Sequence, residues 1–211
     1  MDSYYVDRIV LMLVREQRLA LSLEPADRWT TLYGELMLRV EFPSVARDTG
    51  RAGRDQARDL CESVFRCDST ALPTDWTYGP SARHAIDRQP AAAPDAPFLS
   101  DVRLVPPDAM TGAAPRAVMR ELYRAAPLGG MAPDPEKSAG VLWLPIAALQ
   151  TLLRGARAAD ALGLAGVELR SAAGVELLDD NVIYLPAALG ERMLPRIAAK
   201  YGERALFATS Q

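Results

Sequence analysis

The sequence predicts an α+β fold in which helices pack on a mixed β-sheet. Two neighbouring runs of β-favouring residues, 6–14 and 18–23, predict a hairpin near the amino terminus. Amphipathic stretches at 54–66 and 187–205 predict helices with one buried face. With 211 residues, of which 49% are hydrophobic and 24% charged, the chain is long enough to bury one sizeable core.

The predicted hairpin pairs a central strand, 6–14, with a half-exposed alternating strand, 18–23, on either side of the polar break 15–17. Residues 29–35 and 36–42 are expected to extend this sheet. A loop with two glycines then leads into the first amphipathic helix.

The second half of the chain is predicted to mix loops, helices and short strands. Residues 68–99 contain five prolines, and we interpret them as a surface insertion. A proline in the first turn favours a helix at 115–126, and apolar residues at helical spacing favour another at 146–165. Short strands are predicted at 101–105, 140–145, 167–169, 175–177 and 182–185.

The composition argues against a nucleic-acid surface. The net charge is −3, and 22 of the 24 basic residues are arginine, with Lys137 and Lys200 as the two lysines. This bias and the frequent alanines are typical of a GC-rich bacterial coding genome. No basic stripe interleaved with aromatic residues occurs in the sequence, so a dedicated nucleic-acid surface is not expected.

Membrane and secretory segments are not expected either. No uncharged run approaches the roughly 20 residues that span a bilayer, and the first residues lack the features of a signal peptide. If the first helix reaches Cys67, its Cα atom lies about 9 Å from that of Cys61, too far for a disulfide. Two free thiols fit a reduced cytoplasmic compartment best.

The helix predicted at 54–66 carries two carboxylates on its polar face. Its apolar stripe consists of Ala57, Leu60, Cys61, Val64 and Phe65. Opposite this stripe, Asp59 and Glu62 are three residues apart, a spacing at which two carboxylates can share a divalent cation. The alternative is a solvated helix face on which Glu62 pairs with Arg58 and Arg66.

The order of these parts resembles the Nudix family, whose domains begin with a hairpin followed by a loop–helix–loop signature. The similarity covers roughly residues 4–158 and includes the Val-Leu-Trp-Leu-Pro segment that opens a later helix. The hexapeptide Arg58-Asp59-Leu60-Cys61-Glu62-Ser63 lies over the signature R-E-U-x-E-E. Asp59 replaces a glutamate there, and Ser63 replaces the last glutamate.

The resemblance departs from the signature in the loop before the helix. Glu35 stands where the signature has its first glycine. Glu41 follows it at the distance of the first signature glutamate. Between Glu41 and Arg58, however, there are sixteen residues where the signature has seven. The additional nine residues must therefore be accommodated without moving Glu41 away from the helix.

The resemblance implies an α/β/α sandwich around a mixed sheet in residues 1–158, with a C-terminal α/β extension at 159–211 packed on the same core. It also implies hydrolysis of a nucleoside diphosphate linked to another moiety. The implied catalytic residues are Glu62, Asp59 and Glu41, with Mg²⁺ or Mn²⁺ held by Asp59 and Glu62. Arg58 would orient these carboxylates, and a homodimer would be in keeping with the family.

Three further residues are considered for the site. Trp76 is a candidate aromatic ledge for a nucleotide, and Glu136 is placed where the family often supplies another acidic group. His84 is the only histidine in the chain, which excludes multi-histidine metal sites, and it is expected on an exposed loop.

The alternative function is a non-catalytic Nudix-fold module that binds a nucleotide-like small molecule or a protein partner. Ser63 supports this alternative, because the loss of a carboxylate removes one oxygen ligand and one negative charge from the expected cation site. A metal-dependent hydrolase and a binding module therefore both remain open at the level of sequence, as does an unrelated α+β domain whose resemblance to the family is accidental.

Overall fold

The computed structural model describes residues 6–32, 34–81, 86–105, 116–154, 156–176, 182–184 and 189–207. These ranges contain β1 Val6–Arg15, β2 Arg18–Leu23, β3 Thr30–Leu32, β4 Glu35–Glu41, β5 Ser44–Ala46, β6 Ser69–Ala71, β7 Trp76–Pro80, β8 Ile86–Pro90, β9 Leu99–Val105, β10 Arg116–Pro127, β11 Gly140–Pro145, β12 Ala156–Arg157, β13 Glu168–Ser171 and β14 Val182–Tyr184. The helices are α1 Gly53–Phe65, α2 Ile146–Leu152, α3 Ala158–Leu162, α4 Leu189–Tyr201 and α5 Arg204–Phe207. No helix within the described ranges has the length and apolar character needed to cross a bilayer.

The strands form a mixed sheet, which confirms the predicted α+β class. Its main path runs in the order β12-β14-β4-β2-β1-β10-β9-β7-β8. At the centre, β1 pairs in parallel with β10 and antiparallel with β2. Strand β2 also pairs with β11 and β4, so the strand predicted to be half-exposed is instead buried along most of its length.

Helices cover both faces of the sheet, as expected for an α/β/α sandwich. Ile9, Leu11 and Leu13 of β1 belong to the buried cluster that includes the apolar face of α1. The alternate residues Val10 and Met12 belong to the cluster that includes residues of α2 and α4. The continuous apolar run of β1 therefore follows from burial of both of its faces.

The hairpin turn between β1 and β2 is strained. Glu16 and Gln17 have φ angles of 51° and 60°, a left-handed conformation that disfavours residues with a Cβ atom.

We expect Gln17→Gly to raise the free energy of unfolding by about 1 kcal/mol, because glycine relieves this strain. Urea unfolding measures the change. Gln17→Ala is the control and should not stabilise the protein, and an unchanged or lowered stability of Gln17→Gly would contradict the expectation.

The prediction of a helix at 115–126 is wrong, because this segment forms strand β10. It lies between β1 and β9 and pairs with both over most of its length. Leu122 packs in the cluster on one face of the sheet, and Tyr123 and Ala125 pack in the cluster on the other. The helix-favouring composition of the segment is overridden by the sheet hydrogen bonds and burial that tertiary packing provides.

The segment 68–99 is also more ordered than predicted. It contributes β6, which pairs with β10, and the antiparallel pair β7 and β8 at one edge of the sheet. Pro80 and Pro90 are the last residues of β7 and β8, where a missing backbone donor is tolerated, and β8 is the outermost strand on this side of the sheet. His84 lies outside the described residues.

The carboxyl-terminal elements differ in detail from the prediction. The helix expected at 146–165 is divided into α2 and α3 by the short strand β12, and the final helix is divided into α4 and α5. No strand occurs at residues 175–176, and residue 177 lies outside the described ranges. Met193, Leu194, Ile197 and Leu206 are buried in the same cluster as α2. The domain boundary near residue 158 stays a prediction.

Candidate functional site

Helix α1 has the amphipathic character that the sequence predicts. Its predicted stripe of Ala57, Leu60, Cys61, Val64 and Phe65 is buried. The helix ends where Arg66 adopts a left-handed conformation with φ 48°, and the Arg66 N–H donates to the carbonyl oxygen of Glu62 at 2.9 Å. One face of α1 is therefore held against the sheet, and the flanking face borders two cavities.

Gln56 accommodates the long loop before α1. Its Oε1 accepts a hydrogen bond from the Asp48 N–H at 2.8 Å, and its Nε2 donates to the carbonyl oxygens of Asp48 and Arg51 at 2.9 and 3.1 Å. Gln56 is only 5% exposed. Upstream of this loop, β5 pairs with β1, so the additional residues lie beside the helix. A polar amide within an apolar helical stripe was the sequence signal for this role.

The larger cavity, which we call the cleft, has a volume of about 350 Å³ and lies between α1, the sheet and the loop 134–138. Strands β1, β2, β4 and β5 and the short 3₁₀-helix after β2 all contribute to it. Its lining residues are Arg8, Ser22, Glu24, Pro25, Arg28, Arg39, Glu41, Pro43, Ser44, Leu60, Ser63, Val64, Glu136 and Lys137.

The cleft carries more positive than negative side chains. Its four cationic residues are Arg8, Arg28, Arg39 and Lys137, and its three acidic residues are Glu24, Glu41 and Glu136. The Arg8 guanidinium donates to the Ser44 hydroxyl at 3.0 Å. Within the described part of the chain, the guanidinium groups of Arg28 and Arg39 make no hydrogen bond or ion pair. Among the described residues, no group competes with a ligand for these donors.

Glu24 is the acidic residue of the cleft whose environment is most unusual. Its Oε1 accepts a hydrogen bond from the Arg39 backbone N–H at 2.7 Å. Burial raises the pKa of Glu24, and the nearby Glu41 adds to this rise, whereas the hydrogen bond and positive charge of Arg39 and the charge of Arg28 oppose it. The charge of the Glu24 carboxylate is therefore disfavoured in the folded protein.

This shift predicts a pH-dependent stability. Because the folded-state pKa of Glu24 is raised, the folded protein binds the proton more tightly, and stability falls as pH rises through the folded pKa. We expect Glu24→Gln to raise the melting temperature at pH 7, with a smaller gain at pH 4. Thermal unfolding at both pH values measures this. Glu136→Gln, at an exposed position of the same cleft, is the control, and equal gains at both pH values would contradict the expectation.

Lys137 lies against Ser63, the α1 residue that replaces the last signature glutamate. Its Nζ donates to the Ser63 hydroxyl oxygen at 2.7 Å and to the Ser63 carbonyl oxygen at 3.3 Å. The two residues are 74 positions apart in the sequence, and the loop before β11 brings them together. An ammonium group thus contacts the position at which the signature has its last glutamate and this chain has a serine.

A second cavity of about 250 Å³ adjoins the cleft and shares Leu60 and Ser63 with it. Asp59 lines this second cavity, where its Oδ2 is 2.5 Å from Nη2 of Arg51. The carboxylate predicted to bind a metal ion is therefore engaged by a guanidinium group. Arg51 comes from the long loop before α1, which the sequence analysis did not connect with the site.

The structure brings together only some of the predicted site residues. Glu41 and Glu136 line the cleft, and Asp59 lines the second cavity. Glu62 and Arg58 are exposed and line neither of these two cavities, and the Arg58 guanidinium is 3.8 Å from the Asp55 carboxylate.

Trp76 is also separate from both cavities. It lies on β7 at the edge of the sheet, where the guanidinium of Arg88 stacks over its ring at 4.2 Å. The same guanidinium lies 4.8 Å from the ring of Tyr201 at the end of α4. Trp76 therefore contributes to packing of the C-terminal extension on β7 and β8, and its predicted role as a ledge for a nucleotide has no contact with the cleft to support it.

The residues at this site do not fit a bound divalent cation well. In the ranges that the structure describes, no group of three or more His, Cys, Asp or Glu side chains could hold a metal ion. Asp59 is engaged by Arg51, and the Ser63 hydroxyl is engaged by Lys137. The metal-ligand assignment of Asp59 and Glu62 therefore stays a prediction that this donor set does not support.

The cysteine of the apolar stripe, Cys61, does not supply a reactive thiolate. Helix α1 ends at Phe65, so the helical spacing considered for Cys61 and Cys67 does not apply. Both cysteines are buried and free. Burial raises the pKa of the Cys61 thiol to about 12, and the neighbouring Cys67 contributes in the same direction. Cys61 is therefore a protonated packing residue at neutral pH.

Comparison with known proteins gives structural neighbours but no sequence relatives. No family profile and no curated protein matches the sequence. The fold is similar to a Nudix-family hydrolase from Clostridium perfringens, with 9% identity, coverage of 68% of this chain and 83% of that chain, and a TM-score of 0.42. It is also similar to a Nudix hydrolase from Nitrosomonas europaea, with 11% identity, coverage of 70% and 77%, and a TM-score of 0.39.

A third neighbour is an ADP-ribose pyrophosphatase from Streptococcus suis, with 8% identity, coverage of 66% of this chain and 73% of that chain, and a TM-score of 0.37. The neighbours thus include proteins of the family that the sequence resembles. At this level of identity the likeness concerns the fold and says nothing of the activity of this chain.

Proposed function

We propose that this chain is a binding module for an anionic, nucleotide-like small molecule that occupies the cleft. The observation that carries the proposal is the pair of guanidinium groups of Arg28 and Arg39, which line the cavity and have no partner among the described residues. The cleft volume of about 350 Å³ is within the usual range for small-molecule sites.

The cationic side chains suit phosphate groups. A guanidinium presents its donors in a planar fork that matches two phosphate oxygens, and such charge-assisted hydrogen bonds are stronger than neutral ones. Arg28 follows β2 and Arg39 lies on β4, and both charges are close enough to the Glu24 carboxyl to affect its pKa. Their charges are therefore directed at one region of the cleft.

The test measures the binding of ADP and of inorganic pyrophosphate by isothermal titration calorimetry. We expect the wild-type protein to bind both, and Arg39→Gln to weaken binding by about tenfold or more, which corresponds to one lost charge-assisted hydrogen bond. Arg54→Gln is the matched control, because Arg54 is exposed on α1 and lines neither cavity. Failure of the wild type to bind, or equal affinities of the two variants, would overturn the proposal.

A second candidate is hydrolysis of a nucleoside diphosphate linked to another group. Glu41 and Glu24 support it, because both carboxyl groups line the same cleft and either could accept a proton from an attacking water molecule. The predicted roles of Asp59 and Glu62 as ligands of Mg²⁺ or Mn²⁺ belong to this candidate. Hydrolysis that is lost in Glu41→Gln while ADP binding is kept would favour it over simple binding.

A further inference from the structure

We propose that Lys137 and the cleft arginines neutralise the bound anion in this chain, and that the cleft binds its ligand without a divalent metal ion. This inference rests on the proposed binding of an anion in the cleft. It adds Lys137 as a direct contact of the ligand. It also gives Arg51 a role, which is to form an ion pair with the Asp59 carboxylate.

The first step concerns the oxygen atoms that α1 presents to the two cavities. Asp59 and Ser63 are one turn apart, and each already has a cationic partner: Arg51 at 2.5 Å from the Asp59 carboxylate and Lys137 at 2.7 Å from the Ser63 hydroxyl. A divalent cation at this place would have to displace one positive side chain and remain near the other, at a cost in charge repulsion.

The second step concerns replacement ligands. Mg²⁺ is commonly bound by one or two carboxylates, with water and phosphate oxygens completing an octahedral shell. Glu62 is exposed and lines neither the cleft nor the second cavity, so it does not join Asp59 at one position. Of the carboxylates of α1, only Asp59, which is already paired, lines either cavity. No group of three or more His, Cys, Asp or Glu side chains in the described ranges could complete a metal site around it.

The third step concerns the placement of Lys137. The loop that carries it is tied to the end of α1, because the Asp134 N–H donates to the Val64 carbonyl at 2.9 Å and Arg66 pairs with the Asp134 carboxylate at 3.3 Å. The backbone N–H groups of Lys137 and Ser138 donate to the Asp134 carbonyl at 2.8 and 2.7 Å. The ammonium group is thereby held at the cleft before any ligand arrives.

The fourth step concerns the donors that remain on Lys137. An ammonium group has three N–H donors, and Ser63 accepts two of them. The third is available to an anion in the cleft, alongside Arg28 and Arg39. These three side chains give the anion a positively charged site made entirely by the protein.

The first test needs no ligand, so its outcome does not depend on the proposed function. Free Mn²⁺ is titrated into the protein and followed by its electron paramagnetic resonance signal. We expect the signal of free Mn²⁺ at millimolar concentration to be the same with one equivalent of the wild-type protein as without protein. Uptake of one Mn²⁺ that is lost in Asp59→Asn would overturn the inference while leaving anion binding in the cleft unaffected.

The second test measures the affinity for inorganic pyrophosphate in EDTA and in excess Mg²⁺. We expect equal or tighter binding in EDTA, a loss of about tenfold in Lys137→Met, and recovery of most of that loss in Lys137→Arg, which keeps the charge. Arg54→Met is the matched control. Thermal unfolding of each variant separates a folding defect from loss of the contact.

The outcomes of the second test separate the two proposals. Binding that requires Mg²⁺ and does not change in Lys137→Met would overturn the metal-free site and keep the cleft as a ligand site. Absence of pyrophosphate and ADP binding by the wild type in both buffers would overturn the proposed function. Binding in EDTA that depends on Lys137 supports both.

Discussion

Replacement of Asp101 by alanine is expected to lower the free energy of unfolding by about 3–5 kcal/mol. Asp101 on β9 and Arg120 on β10 are register neighbours and form a bidentate pair, with Arg120 Nε and Nη2 donating to the two carboxylate oxygens at 3.0 and 2.8 Å. Asp101 is 3% exposed and Arg120 is 8% exposed. The alanine variant would keep a guanidinium charge in the interior without this carboxylate, and that is the source of the cost.

Urea unfolding measures the effect as a shift of the midpoint at constant slope. The matched variant is the double replacement Asp101→Leu with Arg120→Met, which removes both charges and keeps a similar volume. We expect it to be much closer to wild type than Asp101→Ala, because replacement of a buried ion pair by apolar side chains is often neutral. A loss below about 1 kcal/mol in Asp101→Ala would contradict this account of the pair.

Replacement of Gly53 by alanine is expected to destabilise the start of α1. A Cβ atom at Gly53 would lie less than 3 Å from Oη and from two ring carbons of Tyr123. Tyr123 is only 7% exposed, and its hydroxyl donates to Glu121 at 2.9 Å, so the ring has little room to move. The overpacking cost of about 1–3 kcal/mol exceeds the gain of about 0.5–1 kcal/mol that alanine brings to a helix.

The control for this variant is Gly129→Ala, because a Cβ atom at Gly129 would have no neighbour within 4 Å. The double variant Gly53→Ala with Tyr123→Leu should recover part of the loss, which a double-mutant cycle would report as a coupling between the two sites. Because α1 supplies Leu60, Ser63 and Val64 to the cleft, Gly53→Ala should also weaken anion binding. Unchanged stability and unchanged binding would contradict the proposed steric role.

Local patterns were sufficient to predict the central hairpin and helix α1. The apolar run of β1 and the stripe of α1 repeat with the periods of a buried strand and of an amphipathic helix, and these periods depend only on neighbouring residues. The same approach was wrong for β10, where arginine, glutamate, leucine and alanine favour a helix in isolation. In the folded chain, β10 is a strand because β1 and β9 provide backbone partners on both sides.

The candidate site was predicted only in part. Glu41 and Asp59 were chosen from the spacing of a signature, and Glu136 from its place on the loop before β11. The structure places all three beside the two cavities. The cleft residues Arg8, Arg28, Arg39 and Lys137 were not chosen, because a single basic residue on a strand or loop has no distinguishing local pattern. Gln56 could have been noticed as the polar residue in the buried stripe of α1.

The periodicity of the sequence alone was enough to establish an α+β class, one helix with a buried face, and the position of carboxylates on that helix, because each depends on contacts between residues close in the chain. The charge of the cleft depends instead on residues as far apart as Arg8 and Lys137, which four strands and a loop bring together. Long-range placement of this kind also decides whether Asp59 and Ser63 face a metal ion or a positively charged side chain. In this fold Arg51 and Lys137 lie against them, and the site becomes cationic.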